Sequence, residues 1–299
     1  MIGRSPILAV LLIVKMSLVA LVPTATAQTI TIRDDTGATL RLTTPARRIV
    51  SLAPGATEML FAAGAGDRVL ATVTGADAPE AAKKIERIGD ANALVFDRLI
   101  ALKPDAVVVW KDLTNELVID SLVNKLKLNV YYVSVRTLDD IPQSVSRLCV
   151  LAGTSTVAEQ AARSTKKIAA LPKKSLAGRR SLDVFFMIWD VPLYTVGSRN
   201  VVSDALRHCG ARNLYDDIDY PSPIVEFEDI KKRNPDVILM TAPPITARDW
   251  RERWARFPSI KAVANKQVLT YSDVRLTRMG PSAIDSVPGL CQQLDRVPR

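Results

Sequence analysis

Two stretches of the chain share one construction: FDRLIALKPDAVVVW at residues 96–110 and FEDIKKRNPDVILMT at residues 227–241. Each opens a helical pattern with an acid, Asp97 or Glu228, and stops it seven residues later at Pro104 or Pro235, which cannot continue a helix. An aspartate follows each proline, and an unbroken apolar run follows the aspartate. Apolar runs of this kind are strands buried on both faces of a parallel sheet. A chain that carries the unit twice is constrained to two similar α/β lobes.

The flanking pattern agrees. RRIVSLA (47–53) reads as a strand, ATEMLFAAG (56–64) as a helix closed by Gly64, and RVLATV (68–73) as a second strand. After the first motif come the helix NELVIDSLVNKLK and the strand NVYYVSV (129–135). Residues 141–172 break the alternation, being almost wholly helix-forming, with TVAE (156–159) as a capping box. From Ser181 the alternation resumes with LDVFFMIW, VVSDALRHCGARNLY, the second motif, ARDWRERWARF, QVLTYS and a terminal helix near 282–295. The expected fold is α/β, with two Rossmann-like lobes of parallel sheet joined by a single long helix. The N-terminal lobe takes residues 28–140, the linking helical segment 141–178 and the C-terminal lobe 179–299.

Residues 1–27 read as a secretory signal: Arg4 in a basic start, an apolar stretch from Ile7 to Val22 broken by Lys15, and Ala25-Thr26-Ala27 before Gln28. A cleaved leader places the mature protein outside the cytoplasm. The net charge of +9 falls to +7 once Arg4 and Lys15 leave with the leader, which removes no acid. That balance suits an anionic ligand or acidic surface, or is simply solvated; no aromatic-interleaved basic patch favours nucleic acid.

Cys149, Cys209 and Cys291 form no CxxC pair and have no metal-ligand spacing, and His208 is the single histidine. No metal site and no resident cofactor are expected. Cys149 sits among Val145, Leu148 and Val150 as a buried small hydrophobe, which in an oxidising compartment leaves Cys209 and Cys291 to pair. His208, ahead of Gly210 at a helix end, reads as a dipole or capping residue. No GxSxG elbow, Walker A loop or GxGxxG fingerprint occurs, so no enzyme is expected. Gly197-Ser198 in TVGSRN, before a helix, leaves a secreted hydrolase as a distant alternative.

RRIVSLAPGATEMLFAAGAGDRVLATV, DRLIALKPDAVVVW, FEDIKKRNPDVIL and FPSIKAVANKQVLTYSD together resemble the periplasmic substrate-binding proteins of ABC importers for ferric siderophores, haem and cobalamin. The resemblance covers nearly all of the mature chain. It is strongest to the cobalamin-binding members, which match KIE at 84–86 and the two cysteines 209 and 291. It implies a periplasmic carrier, a monomer, with a small-molecule metal complex held between the lobes. It also implies a partner, the transmembrane subunits of an ABC permease, docked by one acid on each lobe at the positions of Asp97 and Glu228. Asp97 is one carbon shorter than the glutamate expected there.

For the cleft, the resemblance aligns Trp110 and Tyr194 with aromatic ligand contacts, while Gly75 and Ala91 stand where cobalamin-binding members carry aromatics. The tyrosine that haem-binding members place near Gly75 to Pro79 is missing from TGADAP. Trp189, Tyr220, Arg275 and Arg278 complete the expected lining. An arginine pair with aromatics suits a carboxylate or catecholate iron chelate, so a ferric siderophore is favoured here, with cobalamin or haem as the alternative.

Overall fold

The computed structural model describes residues 29–298, apart from 91–92, 155–156, 172–179 and 242–243. The leader assigned to residues 1–27, Ala91 and part of the linking segment therefore lie outside the described residues. A hairpin of β1 (Ile30–Arg33) and β2 (Thr39–Leu42) precedes the first lobe. That lobe contains β3 (Ile49–Ser51), α1 (Pro54–Ala62), β4 (Val69–Thr72), β5 (Glu86–Arg87), α2 (Phe96–Ala101), β6 (Ala106–Trp110), α3 (Glu116–Asp120) and β7 (Val130–Val133). Its five strands are all parallel, in the order β5-β4-β3-β6-β7.

The second lobe repeats the plan with β8 (Leu182–Asp190), β9 (Leu193–Thr195), α6 (Val201–His208), β10 (Ala211–Asn213), α7 (Phe227–Arg233), β11 (Val237–Met240), α8 (Pro244–Trp254), α9 (Lys261–Ala264) and β12 (Val268–Thr270). Its parallel order is β10-β8-β11-β12, and β9 folds back antiparallel on the long end of β8. The chain closes with α10 (Arg275–Arg278) and α11 (Pro281–Asp295).

The connection between lobes differs from the single long helix expected. It holds two helices, α4 (Asp140–Ala152) and α5 (Val157–Ala169), packed against each other. Gly153 is the cause: it ends α4 in the left-handed conformation at φ +63°, and a Cβ there would meet Pro45 at 2.6 Å. The N–H groups of Gly153 and Thr154 then return to the Val150 and Cys149 carbonyls, a glycine termination that turns the chain. Thr156, the start of the expected capping box, lies outside the described residues.

The duplicated motif is now explained in atoms. Lys103 and Asn234 both adopt positive φ, 44° and 51°, immediately before the two prolines. Asp105 then accepts from the Arg47 and Arg48 N–H groups at 2.8 and 2.9 Å, while its own N–H donates to the Arg48 carbonyl at 2.7 Å. Asp236 accepts from the Asp183 N–H at 3.0 Å and donates its own N–H to the Asp183 carbonyl at 2.9 Å. In both lobes the proline stops the helix and the aspartate grips the start of the neighbouring strand, fixing the register of β6 on β3 and of β11 on β8.

The lobes also meet directly. Glu58 of α1, 8% exposed, accepts from the Ser282 N–H at 2.6 Å and the Ser282 hydroxyl at 2.9 Å at the start of α11. Burial raises the Glu58 carboxyl above its usual range, against the lowering effect of these hydrogen bonds. The same helix is tied to the end of α6 by the disulfide between Cys209 and Cys291, as expected, and Cys149 is free and buried. Closing a loop of 82 residues removes roughly 4 kcal/mol of unfolded-state entropy.

Two outcomes follow. Burial would raise Asp236, but hydrogen bonds from Arg180, Lys261 and the Asp183 N–H outweigh it and hold its pKa at about 2. A depressed carboxyl contributes stability above its unfolded pKa of about 3.9 and loses it as the pH falls toward 2. Urea midpoints across that window will therefore fall for the parent protein by an amount worth about 1–2 kcal/mol more than for Asp236→Asn, the exposed cations discounting the full shift. At neutral pH, Glu58→Ala will cost about 2 kcal/mol in urea unfolding because it orphans the Ser282 N–H at a buried helix start, whereas Glu58→Gln, which keeps an acceptor, will cost less.

Candidate ligand cleft between the lobes

In an open parallel sheet, ligands settle beyond the carboxyl ends of the strands where the strand order reverses. In the first lobe that point lies between β3 and β6, and in the second between β8 and β11. A cleft of about 760 Å³ opens there, walled by residues 111–116 following β6 on one side and by Tyr194, Tyr220 and Ser222 on the other. Its size suits a large small molecule.

Charged groups in and beside this cleft are paired with one another. Lys111 meets Glu116 at 2.9 Å. Asp112 accepts from Arg199 of the opposite lobe at 2.8 Å and from the Ser134 hydroxyl at 2.8 Å. Arg278 reaches Asp77 of the first lobe at 2.5 Å, and Arg275 forks onto Asp273 at 2.8 and 2.5 Å. The Asp112–Arg199 and Asp77–Arg278 pairs both cross between lobes, with the acid always on the first. Thr114 Oγ1 and Arg199 Nε are buried without a hydrogen-bond partner among the described residues.

The expected lining residues divide. Tyr194 and Tyr220 come together in the cleft, Tyr220 half exposed. Trp110 does not reach it: the indole is 3% exposed and packs beside Gly55, where a Cβ would lie 3.0 Å from the ring and 2.1 Å from the Arg278 carbonyl. Gly55 thus lets the C-terminal segment close over α1, and Trp110 fills the junction. Trp189 is 54% exposed, but its ring stands edge-on to Trp250 at 6.2 Å and its N–H donates to the Val191 carbonyl, outside the cleft wall. Arg275 and Arg278 are engaged by acids rather than presented as a pair.

Asp97 and Glu228 are exposed in the first turns of α2 and α7. Each helix runs back to the start of its central strand, so its first turn lies on the cleft side of the lobe and not at an outward end. The contacts agree: Val95 N–H donates to the Ile88 carbonyl just past β5, and Val225 N–H donates to the Leu193 carbonyl of β9. Ser198 donates its hydroxyl to the Ile218 carbonyl at 3.0 Å, which leaves no nucleophile–histidine arrangement in that loop among the described residues.

Sequence reading did not single out Lys111, Asp112, Glu116 or Arg199. Asp112 carried a usable signal, standing two residues past a predicted central strand. Arg199 carried none, since its partner lies 87 residues away.

Among the described residues no three ligating side chains gather to hold a metal, and no helix is long and apolar enough to cross a membrane. A sequence model of the periplasmic binding proteins matches residues 49–274. The vitamin B12-binding protein of Pectobacterium carotovorum subsp. carotovorum (strain PC1) is 30% identical over 250 residues, covering 83% of this chain and 88% of that protein. Among solved structures, the periplasmic vitamin B12 binding protein BtuF of Vibrio cholerae superposes with a TM-score of 0.72 at 26% identity, over 84% of this chain and 97% of that one. The periplasmic haem-binding protein BhuT in complex with two haems shares the fold, with a TM-score of 0.70 at 19% identity over 85% and 99% of the two chains. With a two-lobed parallel α/β fold, a cleft at both switch points and a family match across both lobes, this chain belongs to the periplasmic binding protein family.

Proposed function

We propose that the protein is the ligand-capturing component of an ABC importer, that it performs no chemistry, and that its ligand is a corrinoid held between the lobes. One observation carries the choice of ligand: the cations around the cleft are each paired with an acid of the protein itself. A ferric catecholate is a multiple anion and needs unpaired arginines. Arg275 and Arg278, the pair that would suit a siderophore, are held by Asp273 and Asp77. A corrin ring fringed by amides instead needs hydrogen-bonding side chains and aromatic surface, which Asn115, Ser222, Tyr194 and Tyr220 supply. The similarity to vitamin B12-binding proteins supports the same choice.

Isothermal titration of the chain lacking residues 1–27 with cyanocobalamin should give a dissociation constant of about 1 μM or tighter, weakened roughly tenfold or more by Tyr194→Ala or Tyr220→Ala. Tighter binding of a ferric catecholate or of haemin would replace the corrinoid. Docking is tested separately. Asp97→Arg combined with Glu228→Arg should abolish uptake by cells while leaving cyanocobalamin affinity unchanged, because exposed charges act mainly on encounter and orientation. Lost affinity would instead place these acids in the ligand site.

A further inference from the structure

A second cavity, of about 380 Å³, lies behind the β8–β9 hairpin on the side away from the cleft. The hairpin is a shared wall: consecutive residues of β9 face opposite ways, Leu193 into this cavity and Tyr194 into the cleft. The interior is aromatic. Phe227 lies 5.4 Å from Trp254 and 4.1 Å from Phe257, ring centre to ring centre, and Trp250 completes the lining. Such a concave apolar site with few polar groups has the ordinary character of a small-molecule pocket.

The polar groups at the mouth are two carboxylates and one cation. Asp190 is ion-paired with Arg253, so those two charges cancel. Glu226 is exposed, lines the cavity and has no ion-pair partner among the described residues. An unpaired carboxylate beside several aromatic rings is the arrangement that attracts an organic cation, whose apolar body enters while its charge meets ring faces and the acid. The surrounding surface is apolar too, with Ile224 56% and Phe257 36% exposed.

From this geometry we infer that the cavity bounded by Phe227, Trp250, Trp254, Phe257 and Glu226 is a second binding site, distinct from the cleft, for a small aryl or alkyl ammonium ion. The site is independent of the ligand held between the lobes.

The test uses the full mature chain and three probes of similar size: benzyltrimethylammonium, benzyl alcohol and phenylacetate. The ammonium should shift the indole N–H resonances of Trp250 and Trp254 saturably with a dissociation constant on the order of 1 mM or tighter, and the other two should bind more weakly. Glu226→Gln, at an exposed helix start whose side chain makes no capping hydrogen bond, should weaken ammonium binding roughly fivefold, and Phe257→Ala should weaken it further. Tyr220→Ala, in the cleft, should leave it unchanged. Equal binding of the three probes, indifference to Glu226→Gln, loss of binding with Tyr220→Ala, or no saturation would each overturn the assignment.

Discussion

The start of α11 is the point on which the interlobe geometry depends. A buried carboxylate on α1 receives the Ser282 N–H and hydroxyl, and a Cβ added at Gly280 would lie 2.6 Å from that carboxylate. The same helix is covalently tied to α6 on the second lobe. One helix is thus capped by the first lobe and bonded to the second, so the lobes are held by packing as well as by the chain that links them. The hydrophobic core reflects this: Met59 and Leu60 of α1 belong to one continuous cluster with Leu206 of α6 and Val287 of α11. Large hinge opening would expose that cluster and orphan the Glu58 contacts, at a cost that a ligand's differential affinity would have to offset.

With the lobes so fixed, the cleft is shaped before a ligand arrives. Two arginine–aspartate pairs join the lobes, Asp112–Arg199 at the cleft wall and Asp77–Arg278, and their partly buried setting reduces screening by salt. At the cleft wall, Asp112–Arg199 and Lys111–Glu116 leave those charges paired. A site whose charges are already satisfied selects by shape, hydrogen bonding and aromatic contact more than by charge.

The repeated Pro-Asp unit shows how a local signal acquires a second role. In sequence it is a helix stop. In three dimensions each aspartate grips the start of an adjacent strand, Asp236 at Asp183 of β8, 53 residues away, and Asp105 at Arg48 just before β3, 57 residues away. The unit therefore sets sheet register in both lobes and carries Asp97 and Glu228 to equivalent places on the cleft side.

What the sequence determined by itself was what rests on short-range chemistry. Proline positions, apolar runs and capping residues specify strands and helices within a few residues, and their repetition specifies two lobes. Cysteine count and burial pattern specified the disulfide. Tertiary structure alone decided what depends on distant partners. Trp110 could be read as a cleft aromatic or a core one until α1 and the C-terminal segment closed over it. Arg275 and Arg278 read as an anion-binding pair until Asp273 and Asp77 claimed them, and a partner 201 residues away, as Asp77 is from Arg278, leaves no trace in local spacing. Gly153 likewise had to be seen in the left-handed conformation before one expected helix became two. The physical reason is common to all three: side-chain type fixes what a residue can bond, but only the folded chain fixes which partner reaches it first.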